Sequence, residues 1–152
     1  MKERLDLARE LGATHTIDTS NFKDLDELVK RVRELTDGYG TSVTMDATGV
    51  LPLIKKGIEF TSRRGQYIQV GSSRPDTILD IPLQDFMGSG KRIIGAVEGQ
   101  VIPKEYIPKM IAWYREGKFP IDRLTREYPA EEFEDAIAGM TGGSVIKPII
   151  RW

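Results

Sequence analysis

Apolar positions along the chain alternate between two patterns, a stripe at three- and four-residue spacing and a short unbroken run. Leu5, Ala8 and Leu11 fall on one helical stripe, which Gly12 stops. Thr14 to Ile17 reads as a short strand. Phe22, Leu25, Leu28, Val29, Val32 and Leu35 form the most regular helical face in the chain, closed by Asp37-Gly38. Thr41 to Met45 reads as a buried strand, followed by a helix with Pro52 in its first turn and Leu51, Ile54 and Ile58 on its apolar face. Gln66 to Val70, bounded by Gly65 and Gly71, is the next strand. Strand, short crossover helix and strand is the signature of parallel βαβ units, which place helices on both faces of a sheet.

The regularity then loosens. Ile78, Leu79 and Ile81 suggest a brief extended segment closed by Pro82, and Arg92 to Val97 reads as another inner strand. Ile107, Met110, Ile111 and Tyr114 mark a helix whose early turns hold Pro103 and Pro108, with Tyr114 in the core and Trp113 partly exposed. Phe133, Ala136, Ile137 and Met140 mark the last helix, ended by Gly142-Gly143, and the chain closes in an extended run from Val145 to Trp152. The expected fold class is α/β: an incomplete parallel sheet of the doubly wound type with a C-terminal helix-strand appendage, within one domain of 152 residues.

Composition narrows the chemistry. Net charge is −1, so no basic field argues for nucleic acid or an anionic membrane. No apolar run approaches the roughly 20 residues that span a bilayer. The chain opens on a charged amphipathic helix, and a cytoplasmic protein is the expectation. There are no cysteines and one histidine, which excludes a disulfide framework and every thiolate zinc site. The run Gly88-Ser89-Gly90-Lys91-Arg92-Ile93 begins like G-x-G-x-x-G, but Ile93 takes the sixth place and the spacing and hydroxyl of a P-loop are missing, so it is not read as a phosphate loop.

Six runs, in order, cover essentially the whole chain: Arg4 to His15, Met45-Asp46-Ala47-Thr48-Gly49, Gly65 to Gly71, Gly90 to Gly99, Gly117-Lys118-Phe119-Pro120 and Ile146 to Ile150. Together they resemble the medium-chain, zinc-dependent alcohol dehydrogenases, particularly the aryl- and benzyl-alcohol members. The resemblance implies the C-terminal half of such an enzyme, a truncated Rossmann-like domain in which residues from about 120 to 152 return toward the catalytic domain. It also implies that the zinc ligands, the glycine-rich phosphate turn and the ribose-binding acid lie outside this sequence. By the same resemblance, Gly49, Val70-Gly71-Ser72 and Gly95-Ala96-Val97 line a nicotinamide dinucleotide crevice, and Lys147 reaches the pyrophosphate. Weak NAD(P) binding or none, and no zinc, is the corresponding expectation; otherwise the glycines are strand-end turns only.

Three residues are candidates for chemistry in their own right. Asp46 ends an apolar strand beside Thr48-Gly49, where burial raises a carboxyl toward the range of a general acid or base. The blander reading, a cap on the following helix or on loop amides, is favoured. Glu98, past the sixth strand of the family pattern, and Ser72 complete the set. Two functions follow: a dimeric ligand- or partner-binding module of dehydrogenase ancestry without autonomous alcohol oxidation, or a metal-free acid/base enzyme acting on a small organic substrate. His15 has no spacing partner for a catalytic triad. Without the first βαβ unit one side of the parallel sheet is left bare, and by resemblance the segment Ile78 to Ile81 pairs across a two-fold axis in a homodimer.

Overall fold

A computed structural model describes residues 2–152. The chain forms two compact units, Lys2–Gln100 and Val101–Trp152.

In the first unit, helices α1 (Lys2–Glu10) and α2 (Asp26–Glu34) precede strand β1 (Thr41–Asp46), helix α3 (Leu51–Phe60), strand β2 (Thr61–Gln69), helix α4 (Leu83–Ser89) and strand β3 (Arg92–Gly95). The three strands pair in parallel in the order β1-β2-β3, as the strand-helix-strand pattern predicts. Pro52 sits in the first turn of α3, where its missing N–H costs nothing. Asp26 and Glu59 both accept from Lys56 Nζ, which ties α2 to α3, and Val29, Val32 and Ile54 are the buried apolar side chains of the two helices. At its C-terminus α3 leaves carbonyls open, and Lys91 Nζ donates to those of Ile58 (2.6 Å) and Glu59 (3.2 Å).

The α3 side of the sheet is closely built. A Cβ on Gly57 of α3 would lie 2.8 Å from the Tyr67 ring, so a glycine is what lets the helix rest on β2. Thr41, Thr44 and Thr61 form a chain of hydroxyl hydrogen bonds, each 2.6 Å, and Thr61 donates on to the Gly57 carbonyl. The other side is bare. Val43 and Met45 are 54% and 64% exposed, and Ile94, in register with Ile68 and through it with Met45, is exposed too.

Three local expectations change. Thr14 to Ile17 is irregular, because no strand among the described residues pairs with it. Strand β2 begins at Thr61 rather than Gln66, and its register with β1 jumps between Thr41 and Val43 to take up the extra residues. Ile78 to Ile81 has no regular secondary structure and lies outside any ladder, and helix α4, which the apolar pattern did not announce, follows it.

The second unit holds helix α5 (Pro103–Arg115), strand β4 (Thr125–Pro129), helix α6 (Phe133–Thr141) and strand β5 (Lys147–Arg151). Strands β4 and β5 pair in parallel, and Tyr128, Ala136 and Val145 form a small core with Ile150 packed against it. Tyr114 is 45% exposed rather than in the core, and Trp113, also partly exposed, meets Tyr106 edge-on. Among the described residues, no helix is long and apolar enough to cross a membrane.

Candidate functional site

Of the residues singled out in the sequence, Asp46, Gly49, Val70 to Ser72 and Gly95 to Glu98 lie at the carboxyl edge of the three-stranded sheet, the edge at which open parallel sheets hold ligands. Asp46 ends β1 and pairs in register with Gln69, the last residue of β2, which pairs in turn with Gly95, the last of β3. The loop after β1 and the loop after β2 then lock together. The Asp46 carbonyl accepts from the amides of Val70 (2.9 Å) and Gly71 (2.8 Å), and Ser73 Oγ donates to the Gly49 carbonyl (2.7 Å). Gly49 adopts φ 69°, and a side chain there would overlap the Ser72 carbonyl. A Cβ on Gly71 would lie 2.7 Å from both Ala47 C and Thr48 N. These two glycines therefore pack the loops against each other and do not open a space for ligand. Gly95 differs: nothing lies within 4 Å of where its Cβ would stand.

Asp46 is 8% exposed, and its carboxylate accepts three hydrogen bonds. Thr48 Oγ1 donates to one oxygen (2.6 Å), and the Gly49 amide (2.8 Å) and Gln69 Nε2 (2.9 Å) donate to the other. Burial pushes the carboxyl up, but the donors from Thr48, Gly49 and Gln69 outweigh it and hold it below its ordinary value. This is the reverse of the raised value that burial alone led us to expect. The acid so held is an anchor for loop amides, the blander of the two readings, and is not poised as a general acid at neutral pH.

Gln69 completes the cluster and was missed in the sequence. Its Nε2 also donates to the Gly71 carbonyl (2.7 Å), while its Oε1 accepts from Tyr67 OH (3.1 Å). Tyr67 is 1% exposed, and burial, with the nearby Asp46 charge, pushes its phenol up to about 12. The available signal was a glutamine two residues from a tyrosine at the end of an inner strand. A polar side chain in such a place requires partners.

Ser72 and Glu98 are exposed near this edge, and Val97 stands between Ala96 and Glu98 with its side chain outward. Ala96 donates its amide to the Gln69 carbonyl (2.9 Å), so the loop after β3 begins tied to β2. It then turns through Glu98, Gly99 and Gln100, all at positive φ. Lys147 is exposed at the start of β5, in the second unit. His15 bonds the hydroxyl of its neighbour Thr14 (3.2 Å). Among the described residues no three His, Cys, Asp or Glu side chains are grouped to hold a metal ion, so this chain's own donors do not fit a zinc site. The near-miss glycine run is the end of α4: Gly88 is within the helix and Gly90, at φ 64°, closes it.

A groove of about 530 Å³ lies away from this edge, lined by Ile58, Leu79, Ile81, Pro82 and Phe86 with Lys91 at its side. Lys91 immediately precedes β3, which places the groove toward the amino ends of the strands.

The arrangement has close counterparts. Geraniol dehydrogenase of Castellaniella defragrans is 33% identical over 144 residues, spanning 95% of this chain and 38% of that enzyme. The crystal structure of benzyl alcohol dehydrogenase from Acinetobacter calcoaceticus superposes with a TM-score of 0.89 at 33% identity, over 99% of this chain and 40% of that one. An alcohol dehydrogenase zinc-binding domain protein from Burkholderia ambifaria gives the same TM-score at 34% identity, again over 99% and 40%. The chain thus spans about two fifths of the length of these relatives. The family of zinc-binding dehydrogenases matches residues 1–116. With that match laid over a parallel sheet whose loops lock at their carboxyl ends, the chain belongs to the zinc-binding dehydrogenase family.

Proposed function

We propose that this chain supplies one wall of a nicotinamide dinucleotide crevice and carries out no alcohol oxidation by itself. The observation that supports this most directly is the carboxyl edge of the sheet. Interlocked backbone at Gly49 and Gly71 forms a firm surface there, with open space beside Gly95. Family members pair such a wall with a glycine-rich turn and a zinc site, and neither has a counterpart among these residues. The nicotinamide is the hydride carrier when such a cofactor is bound. What this chain contributes is shape and position: Gly95, Ala96 and Val97 at the opening, and Ser72 beside it. Lys147 is assigned to the pyrophosphate by resemblance. The acid/base alternative has less support, because the Asp46 carboxylate is buried and occupied by its three donors.

A symmetric homodimer through Ile78 to Ile81 belongs to the same proposal. Ile78 is 73% exposed, and the segment lies outside any ladder, which leaves its backbone available to pair with a second copy. Calorimetric titration with NADH and NADPH, with sedimentation velocity on the same preparation, tests both parts. Weak heats without turnover on benzyl alcohol, NAD and zinc, and a dimer that Ile78→Asp dissociates, are the expected results. Turnover by the pure chain refutes the functional reading, and a wild-type monomer refutes the dimer.

A further inference from the structure

We infer that Gln69 is a positioning residue that holds the two loops of the crevice wall at a fixed spacing, through the Asp46 carboxylate on one side and the Gly71 carbonyl on the other. The inference rests on reading this edge as ligand-facing, and it deepens that reading.

A glutamine amide offers two N–H donors and one carbonyl acceptor. Here Nε2 spends its donors on Asp46 Oδ2 (2.9 Å), which anchors the loop after β1, and on the carbonyl of Gly71 (2.7 Å) in the loop after β2. Tyr67 OH donates to Oε1 (3.1 Å) and so sets which way the amide faces. No other common side chain of this length meets all three demands: an ionised glutamate has no donor for the carboxylate or the carbonyl, and methionine has no donor and only a weakly accepting sulfur. The loops themselves have no slack, because side-chain-sized space between Gly49 and Ser72, and between Gly71 and Thr48, is already filled by backbone. A preformed wall of this kind spares a ligand the cost of ordering it.

Gln69→Met and Gln69→Glu variants of the whole chain test this by two readouts that need no ligand and one that does. In Gln69→Met the Asp46 carboxyl, followed by NMR, should titrate at higher pH than in the wild type, because one donor is lost. Amide exchange at Gly49 and Gly71 should accelerate about tenfold while Val29 and Val32 in α2 keep their rates. In Gln69→Glu both changes should be larger, since two carboxylates then face each other; should that variant not fold, Gln69→Met alone decides. An unmoved Asp46 titration and unchanged exchange in Gln69→Met overturn the inference. Equal NADH affinity in wild type and Gln69→Met, where the wild type binds, overturns it as well. Shifts in titration and exchange with no NADH binding even by the wild type leave the positioning role standing and remove the dinucleotide reading.

Discussion

Gly71 and Gly95 both lie at the carboxyl edge of the sheet, yet they tolerate a side chain very differently. At Gly71 a methyl group meets backbone of the neighbouring loop, which cannot yield as a flexible side chain does, whereas at Gly95 it meets nothing. Gly71→Ala should therefore cost about 1–3 kcal/mol, the usual penalty of overpacking. Gly95→Ala should stay within about 0.5 kcal/mol, as for a surface change without a special contact. Urea unfolding monitored by circular dichroism reads both. In the sequence the two glycines had equal standing as points of close ligand approach. Only the loop geometry separates one that fills space from one that leaves it open. The same holds for Asp46. Its place at the end of a strand signalled burial correctly, but the direction of its pKa is set by the donors that meet it there, Thr48 and Gly49 in the next loop and Gln69 from the neighbouring strand.

At the level of elements, the end of α4 makes the corresponding point about motifs. Gly88 and Gly90 look alike in a G-x-G run, but Gly88 is inside a helix and Gly90 is the left-handed residue that ends it. Gly88→Ala should stabilise the chain by about 0.5–1 kcal/mol, since alanine loses less backbone entropy in a helix. Gly90→Ala should destabilise it by about 1–2 kcal/mol, the cost of a Cβ in the left-handed region. Opposite signs in thermal or urea unfolding are the expected outcome; equal losses would point instead to a loop that needs both glycines. The long helices and the inner strands were legible because their apolar periodicity is strong. Strand β4 and helix α4 were not, since Thr125 to Pro129 lacks a clear alternation and α4 is short and ends in small residues. The strand read at Thr14 to Ile17 failed for the converse reason: a locally extended run is no strand without a neighbour to bond.

On the scale of the whole molecule, the exposed face of the sheet at Val43, Met45 and Ile94 stands out. Parallel sheets are ordinarily covered on both sides, and contiguous apolar surface of this kind favours association. Because these side chains already meet water, Val43→Thr with Met45→Gln should change stability by no more than about 0.5 kcal/mol per site. The double variant should nonetheless bind less of a hydrophobic dye and stay dispersed at higher concentration, which light scattering measures. A large loss of stability would mean that this face is covered in solution.

Most of the helices, the parallel βαβ grammar of the first unit, the lack of thiolate zinc ligands and the kinship with dehydrogenases were readable from the chain, because each depends on local periodicity or on the presence of particular residue types. Which face of the sheet is bare, which glycines have room, and which side chain of the next strand reaches the Asp46 carboxylate depended on the tertiary structure. Those properties arise where segments distant in sequence meet, and the packing and hydrogen bonds that decide them do not exist until the strands are paired.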